Sequence, residues 1–101
     1  MVLNDERVRM NPTKPLRLHL VLKHIYYDQI ERGEKTVEYR DNTPYWRRRI
    51  FQHWNSNGGN VVIFHKGYTN TTMTFKIRML ILNHPKIELH LGDRIEEENH
   101  D

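Results

Sequence analysis

The densest group of side chains that could do chemistry lies between positions 33 and 41, where the sequence is GEKTVEYRD. Within it stand an ammonium, a hydroxyl, a carboxylate and a guanidinium, contributed by Lys35, Thr36, Glu38 and Arg40. A lysine beside a carboxylate can act as an acid–base pair, and partial desolvation makes a lysine titrate closer to neutral pH. The same residues could also form a row of exposed ion pairs, each contributing about 0–1 kcal/mol. Spacing alone leaves both interpretations open.

A run of three arginines is the second place where the sequence indicates binding; it consists of Arg47, Arg48 and Arg49. Guanidinium groups pair with phosphates, and exposed rings stack on bases with about 1–3 kcal/mol each. The same segment is rich in aromatic residues, namely Tyr45, Trp46, Phe51 and Trp54. Its rings have a second interpretation as core, because Trp46, Ile50 and Trp54 repeat at four-residue spacing. We expect the arginines to contact nucleic acid.

Charge is distributed unevenly along the chain. Its 101 residues carry +3, from 16 lysines and arginines against 13 acids. Residues 93–101 hold five of the acids and one arginine, so residues 1–92 carry 15 basic against 8 acidic side chains, or +7. A basic body with an acidic end indicates a polyanionic partner, most simply nucleic acid, although the same balance also serves solubility.

The elements that must position these residues follow from periodicity. Alternating leucines over residues 16–22 predict a half-buried strand, and the pattern over 24–32 predicts a helix that ends before Gly33. Residues 35–40 alternate again, which predicts a strand with Val37 and Tyr39 buried and with Thr36, Glu38 and Arg40 on the other face. Thr43 and Pro44 have the residue types that begin a second helix.

Three further strands are predicted in the second half of the chain. The turn Asn55–Gly59 precedes a strand over residues 60–67, and the short segment 67–70 suits a hairpin into a strand over 71–82. In that strand apolar residues alternate with polar ones: Met73, Phe75, Ile77, Met79 and Ile81 alternate with Thr74, Lys76 and Arg78. A break at 83–85 separates it from a closing strand over 86–95. The order strand, helix, strand, helix and three strands predicts a small α+β domain, for which curling into a barrel is one way to hide sheet edges.

One stretch resembles a known family. Residues 18–40, LHLVLKHIYYDQIERGEKTVEYR, are similar to the N-terminal signature of the ASCH domain family: a strand ending in Leu-Lys, a short helix, then Gly-x-Lys-Thr-x-Glu-x-Arg. Here these elements are Leu22 and Lys23, followed by Gly33, Lys35, Thr36, Glu38 and Arg40. The resemblance implies a PUA-like mixed β-barrel with two short helices near its N-terminal half. It also implies a cleft beside the helix and an RNA-linked function.

We therefore expect a flexible lead-in over residues 1–15, an ASCH-like domain over 16–95 and an acidic tail over 96–101. The expected ligand is RNA or a modified nucleoside. The expected binding residues are Lys23, Lys35, Thr36, Glu38 and Arg40, with Arg47, Arg48 and Arg49 at the rim. Since some members of the family are RNA or nucleoside hydrolases, the alternative is a ribonuclease or acetylcytidine amidohydrolase-like enzyme with Lys35 and Glu38 as catalytic residues. A protein-interaction adaptor is the third possibility.

Composition excludes several other classes of protein. The absence of cysteine excludes disulfides, thiolate zinc sites and cysteine nucleophiles. The seven histidines form no helical ligand pair, so we expect no metal and no cofactor. No apolar run is long enough to span a bilayer or to act as a signal peptide, so we expect a soluble cytoplasmic protein without a membrane partner.

Overall fold

The order of elements predicted from the sequence is the order that forms. The computed structural model describes residues 17–54 and 60–96, and within these ranges it has five strands and two helices. They are β1 (Leu18–Leu22), α1 (His24–Glu31), β2 (Val37–Asp41), α2 (Pro44–Trp54), β3 (Val61–Lys66), β4 (Thr72–Asn83) and β5 (Lys86–Ile95). The predicted lead-in (1–15), the turn Asn55–Gly59 and all of the acidic tail except Glu96 lie outside the described residues. Neither described helix has the length and apolarity needed to cross a bilayer.

The five strands form one mixed sheet in the order β1-β3-β4-β5-β2. Strands β1 and β3 pair in parallel, with Leu18 opposite Val62, whereas the three other pairs are antiparallel. The sheet curls into a half-barrel, so its two outermost strands, β1 and β2, both border the open side. The chain is thus an α+β domain with a curled, barrel-like sheet.

The core lies inside the curl and is closed by the two helices. Leucines at alternate positions of β1 point inward, and β3 and β5 add their own alternating residues. Each such side chain contributes about 1.5–3 kcal/mol when fully buried. The largest of the fully buried residues are Tyr27, Phe64, Leu18, Leu20, Ile50, Ile87, Leu89 and Val62.

Both helices begin or end where the sequence predicts. Helix α1 ends at Glu31, and Gly33 adopts φ +80°, with its amide donating to the Ile30 carbonyl at 3.0 Å. The left-handed conformation is the one that glycine adopts at low cost. Helix α2 begins at Pro44, where the Thr43 hydroxyl accepts a hydrogen bond from the Trp46 amide at 3.2 Å. This is the predicted N-cap.

The aromatic stripe of α2 packs as predicted for core. Ile50 is fully buried, and Trp46 and Trp54 pack against the core from partly buried positions. The helix therefore packs on the core through one face.

Strand β4 departs from its predicted alternation. Its register with β5 shifts between Phe75 and Ile77 and again between Ile77 and Met79. After the shifts Leu80 packs against the core, whereas Met79 is 39% exposed. A shift of one residue exchanges the two faces of a strand, so the predicted alternation of β4 does not continue unbroken past Ile77.

A hydrogen-bonded group on β4 and β5 makes the stability of the fold depend on pH. Glu88 accepts from the Asn83 side chain at 2.8 Å and bonds to the His90 ring at 2.8 Å. These two bonds lower the pKa of Glu88 below its ordinary value, the Asn83 bond contributing more. A carboxyl with a lowered native pKa stabilises the fold above its unfolded pKa, and this contribution disappears as the pH falls through the native pKa.

We expect Glu88→Gln to lower the free energy of unfolding at neutral pH, and we expect the difference from the unsubstituted protein to shrink in acid. Denaturant unfolding of both proteins at pH 7 and at about pH 3 measures this. A difference of the same size at both pH values would show that the charge of Glu88 is not what stabilises the fold.

Candidate functional site

The charged face of β2 points into the half-barrel. The prediction that Val37 and Tyr39 form the buried face is wrong: Glu38 is 7% exposed, whereas Tyr39 is 48% exposed and Val37 is only half-buried. Glu38 lies opposite the fully buried Leu89 of β5, and Arg40 lies opposite Ile87. The strand takes this orientation with a charged inner face because the carboxylate finds two cations beside it, which offset the cost of taking it out of water.

Glu38 stands between those two cations. The Lys35 ammonium lies 3.3 Å from its Oε1 atom, and an Arg40 guanidinium nitrogen lies 3.1 Å from its Oε2 atom. All three side chains are at least four-fifths buried. Lys35 also donates to the Val37 carbonyl at 2.6 Å, and its ammonium lies 5.1 Å from the Tyr39 ring centre. The lysine is therefore held in one position, and the spacing of Lys35, Glu38 and Arg40 does bring the three groups together.

Arg40 also bridges the open side of the half-barrel. Its guanidinium donates to the Val21 carbonyl of β1 at 3.2 Å, so one side chain links the two outermost strands. The same guanidinium lies 4.9 Å from the Trp46 ring centre, a cation–π distance. Arg40 is thus fixed by β1, by α2 and by Glu38.

Arg49 reaches the same strand from α2. It donates to the His19 carbonyl at 3.2 Å and to the Tyr45 hydroxyl at 3.0 Å. Its guanidinium lies 5.5 Å from the centre of the Trp46 ring. Together Arg40 and Arg49 bind two carbonyls of β1 that point toward the open side, which also protects this outermost strand from pairing with another chain.

A cleft of about 500 Å³ lies at this junction. Its floor is β1 from His19 to Leu22, and Lys23 follows at the start of α1. The rest of the described lining consists of three cationic side chains (Lys23, Arg40 and Arg49), two rings (Trp46 and Tyr68) and Gly67, and it includes no acid. Such a surface can hold an anion and a flat ring together.

The predicted binding residues are divided between two places. Lys23, Arg40 and Arg49 line the cleft, whereas Lys35 and Glu38 line a separate pocket of about 320 Å³ with Tyr26 and Tyr39. Glu38 links the pocket to the cleft, because it pairs with Lys35 of the pocket and with Arg40 of the cleft. Thr36 is exposed and lines neither space.

The three consecutive arginines do not act as one group. Arg47 turns back and donates to Asn42, at 2.7 Å to its side-chain oxygen and 3.3 Å to its carbonyl. Arg48 is exposed and does not line the cleft. Successive residues of a helix point about 100° apart, so a run of three cannot present all its charges to one ligand. Arg49 alone of the three is at the cleft.

Two residues that line the cleft were not predicted from the sequence. Tyr68 lines the cleft from the turn between β3 and β4 and is 96% exposed. In the sequence, only its position in a predicted hairpin turn indicates that it is exposed. His19 also lines the cleft, and its Nδ1 atom lies 2.9 Å from Nε2 of His65 on β3. Within residues 17–54 and 60–96, no three histidine or acidic side chains gather as a metal site would require.

Comparison with known proteins adds no assignment. No protein-family model matches the chain, and no curated protein matches it. The resemblance of residues 18–40 to the ASCH signature is thus carried by the motif alone.

Proposed function

We propose that this protein binds single-stranded RNA or a modified nucleoside in the cleft beside β1. One observation carries the proposal: three cationic side chains and two rings line a single cleft whose described lining contains no acid. Guanidinium and ammonium groups pair with phosphate oxygens, and aromatic side chains stack on bases of any sequence.

Size and rigidity support the same conclusion. About 500 Å³ lies within the range of 300–1,000 Å³ typical of small-ligand sites. Arg40 and Arg49 are held by backbone carbonyls of β1, so little side-chain freedom is lost when a ligand binds. The exposed Tyr68 ring, in contrast, has its whole face available to a base.

The half-barrel and the signature over residues 18–40 support a PUA-like, ASCH-type fold as part of this proposal. The sheet supplies the curled mixed architecture that such a barrel needs, with the cleft next to α1 through Lys23.

Arg49→Ala should weaken the binding of a short single-stranded RNA by about tenfold and reduce the log–log salt slope by about one, because one phosphate contact is lost. Arg48→Ala is the matched control: it removes the same charge one residue earlier, outside the cleft, and should change affinity far less. Fluorescence anisotropy over a salt series measures both variants. If both variants lost the same affinity, RNA would be attracted by the overall positive charge of the protein and not by the cleft.

A hydrolase is the second candidate, favoured by the buried Lys35–Glu38 pair that lines its own pocket. Gel analysis of the same RNA mixtures, and chromatography after incubation with acetylated cytidine, separate the two functions. Under the binding proposal both substrates are recovered intact. Products that form with the unsubstituted protein and disappear with Lys35→Met would establish the hydrolase instead. Weak binding of every polyanion without preference would favour the adaptor.

A further inference from the structure

We propose that two copies of this chain pair along the free edge of β4, through residues 79–83, and form a dimer whose sheet continues from one copy into the other. The inference is independent of the proposed function, because residues 79–83 do not line the cleft. It starts from the backbone groups that the sheet leaves unpaired.

Although β4 is an inner strand of the sheet, its second half has a neighbour on one side only. Strand β3 pairs with β4 from Thr72 to Lys76, and the next backbone bond on that side joins the Ile77 amide to the Asn60 carbonyl at 2.7 Å. Among the described strands, residues 79–83 pair with β5 alone. Alternate residues of an antiparallel strand direct their N–H and C=O groups to opposite sides, so some of these groups point away from β5.

The two outermost strands differ from this segment, because other groups already bind along their free edges. The two arginines described above bind carbonyls of β1. On β2, the Val37 carbonyl accepts from Lys35, and the Asp41 carbonyl accepts from the Thr43 amide at 2.9 Å. Within the described part of the chain, no backbone group outside the β4–β5 ladder bonds to residues 79–83. An edge left open in this way is a site for pairing with another chain.

The open segment is also apolar. It reads Met79, Leu80, Ile81 and Leu82 before Asn83, without the lysine or proline that protects many strand edges. Met79 is 39% exposed and Leu82 is 55% exposed, whereas Leu80 and Ile81 are half-buried. Pairing along this edge would therefore cover apolar side chains as well as backbone groups.

A second copy fits this edge because the segment is complementary to itself. Residues that face each other in an antiparallel ladder have the same backbone orientation, so a two-fold axis must pass beside a residue that faces its own copy. If Ile81 faces Ile81 of the second copy, Leu80 faces Leu82, and Met79 faces Asn83. The three central pairs are then apolar, and no pair brings like charges together.

The same register avoids the rest of the sheet. Strand β4 ends at Asn83 and β5 begins at Lys86, so the strand of the second copy turns toward its own β5 opposite Met79. It does so before it reaches the part of the edge that β3 occupies. A strip of five residues is short beside the about 20–30 residues a side of a standard interface. We therefore expect a reversible dimer that forms at micromolar concentrations.

The test uses the symmetry of the pairing. Ile81→Lys places two ammonium groups opposite each other and Ile81→Glu places two carboxylates, so each variant should stay monomeric on its own. Mixed in equal amounts, the two variants should form a dimer again, because lysine then faces glutamate. Sedimentation equilibrium without RNA, from about 1 μM to about 1 mM protein, measures the mass of each sample. For the unsubstituted protein we expect the mass to rise from one chain to two.

Ile25→Lys is the matched control. It adds the same charge at a 59% exposed isoleucine of α1, which contacts β1 and β3, and should leave the dimer unchanged. Circular dichroism checks the folding of every variant. If the Ile81 variants do not fold, Leu82→Lys, at the more exposed position, should raise the dissociation constant by about tenfold. A chain that stays monomeric at every concentration, a dimer that these substitutions leave unchanged, or assembly beyond two copies would overturn the inference.

Discussion

Replacing Glu38 by glutamine should lower the free energy of unfolding by about 3 kcal/mol, the cost typical of removing one partner from a buried ion pair. The substitution preserves the shape of the side chain but leaves Lys35 and Arg40 without the anion that separates them. Both cations are themselves four-fifths buried, so water compensates them poorly. Denaturant unfolding at pH 7 measures the effect.

The matched control is Glu34→Gln. Glu34 forms an even shorter pair with Arg32, at 2.8 Å, but both side chains are more than half exposed. An exposed pair is screened by solvent, so this substitution should leave the unfolding transition essentially unchanged. If the two variants lose the same free energy of unfolding, burial does not explain the contribution of the Glu38 ion pairs to stability.

Ile50→Ala should be comparably damaging, with a loss of about 3 kcal/mol in the free energy of unfolding, because it removes a fully buried side chain and leaves a cavity. It should also weaken ligand binding, since Ile50 anchors the face of α2 that holds Trp46 and Arg49 against β1. Denaturant unfolding and RNA anisotropy test the two effects separately.

Ile25→Ala controls for the chemistry of the substitution. Ile25 is also helical but 59% exposed, so its truncation should cost little stability. A variant at Ile50 that is destabilised but binds RNA with unchanged affinity would show that the cleft does not depend on the seating of α2.

The elements of this fold were predictable because their signals are local. Alternating leucines define β1, the Thr43–Pro44 pair marks the start of α2, and Gly33 marks the end of α1. Each of these depends on a few neighbouring residues, and each has a direct physical cause in burial, capping or left-handed backbone.

The orientation of β2 was not predictable in the same way. Hydrophobicity alone would bury Tyr39, and the actual burial of Glu38 depends partly on Arg40 being fixed across the half-barrel by Val21, nineteen positions earlier. The register shifts in β4 likewise depend on its pairing with β5. Both outcomes are decided by tertiary partners, which periodicity does not contain.

The candidate site was predictable in part for the same reason. Lys35, Glu38 and Arg40 are close in sequence and close in space. The cleft, however, is made by β1, the residue that precedes α1, one residue of β2, two residues of α2 and the β3–β4 turn. Only the sheet order places Tyr68 near Arg49, so no spacing within one segment could have identified it.

The parallel pairing of β1 with β3 has a consequence for how the cleft comes into being. It joins position 18 to position 62, a separation of 44 residues, whereas β3–β4 and β4–β5 are neighbours along the chain. Closing a long loop costs more chain entropy than closing a hairpin, so we expect β1 to join the sheet after the two hairpins have formed. Since β1 lines the cleft, a chain in which only the hairpins had formed would have no binding site. A ligand of this cleft would therefore bind only the state in which β1 is paired with β3. By mass action, it would stabilise that pairing.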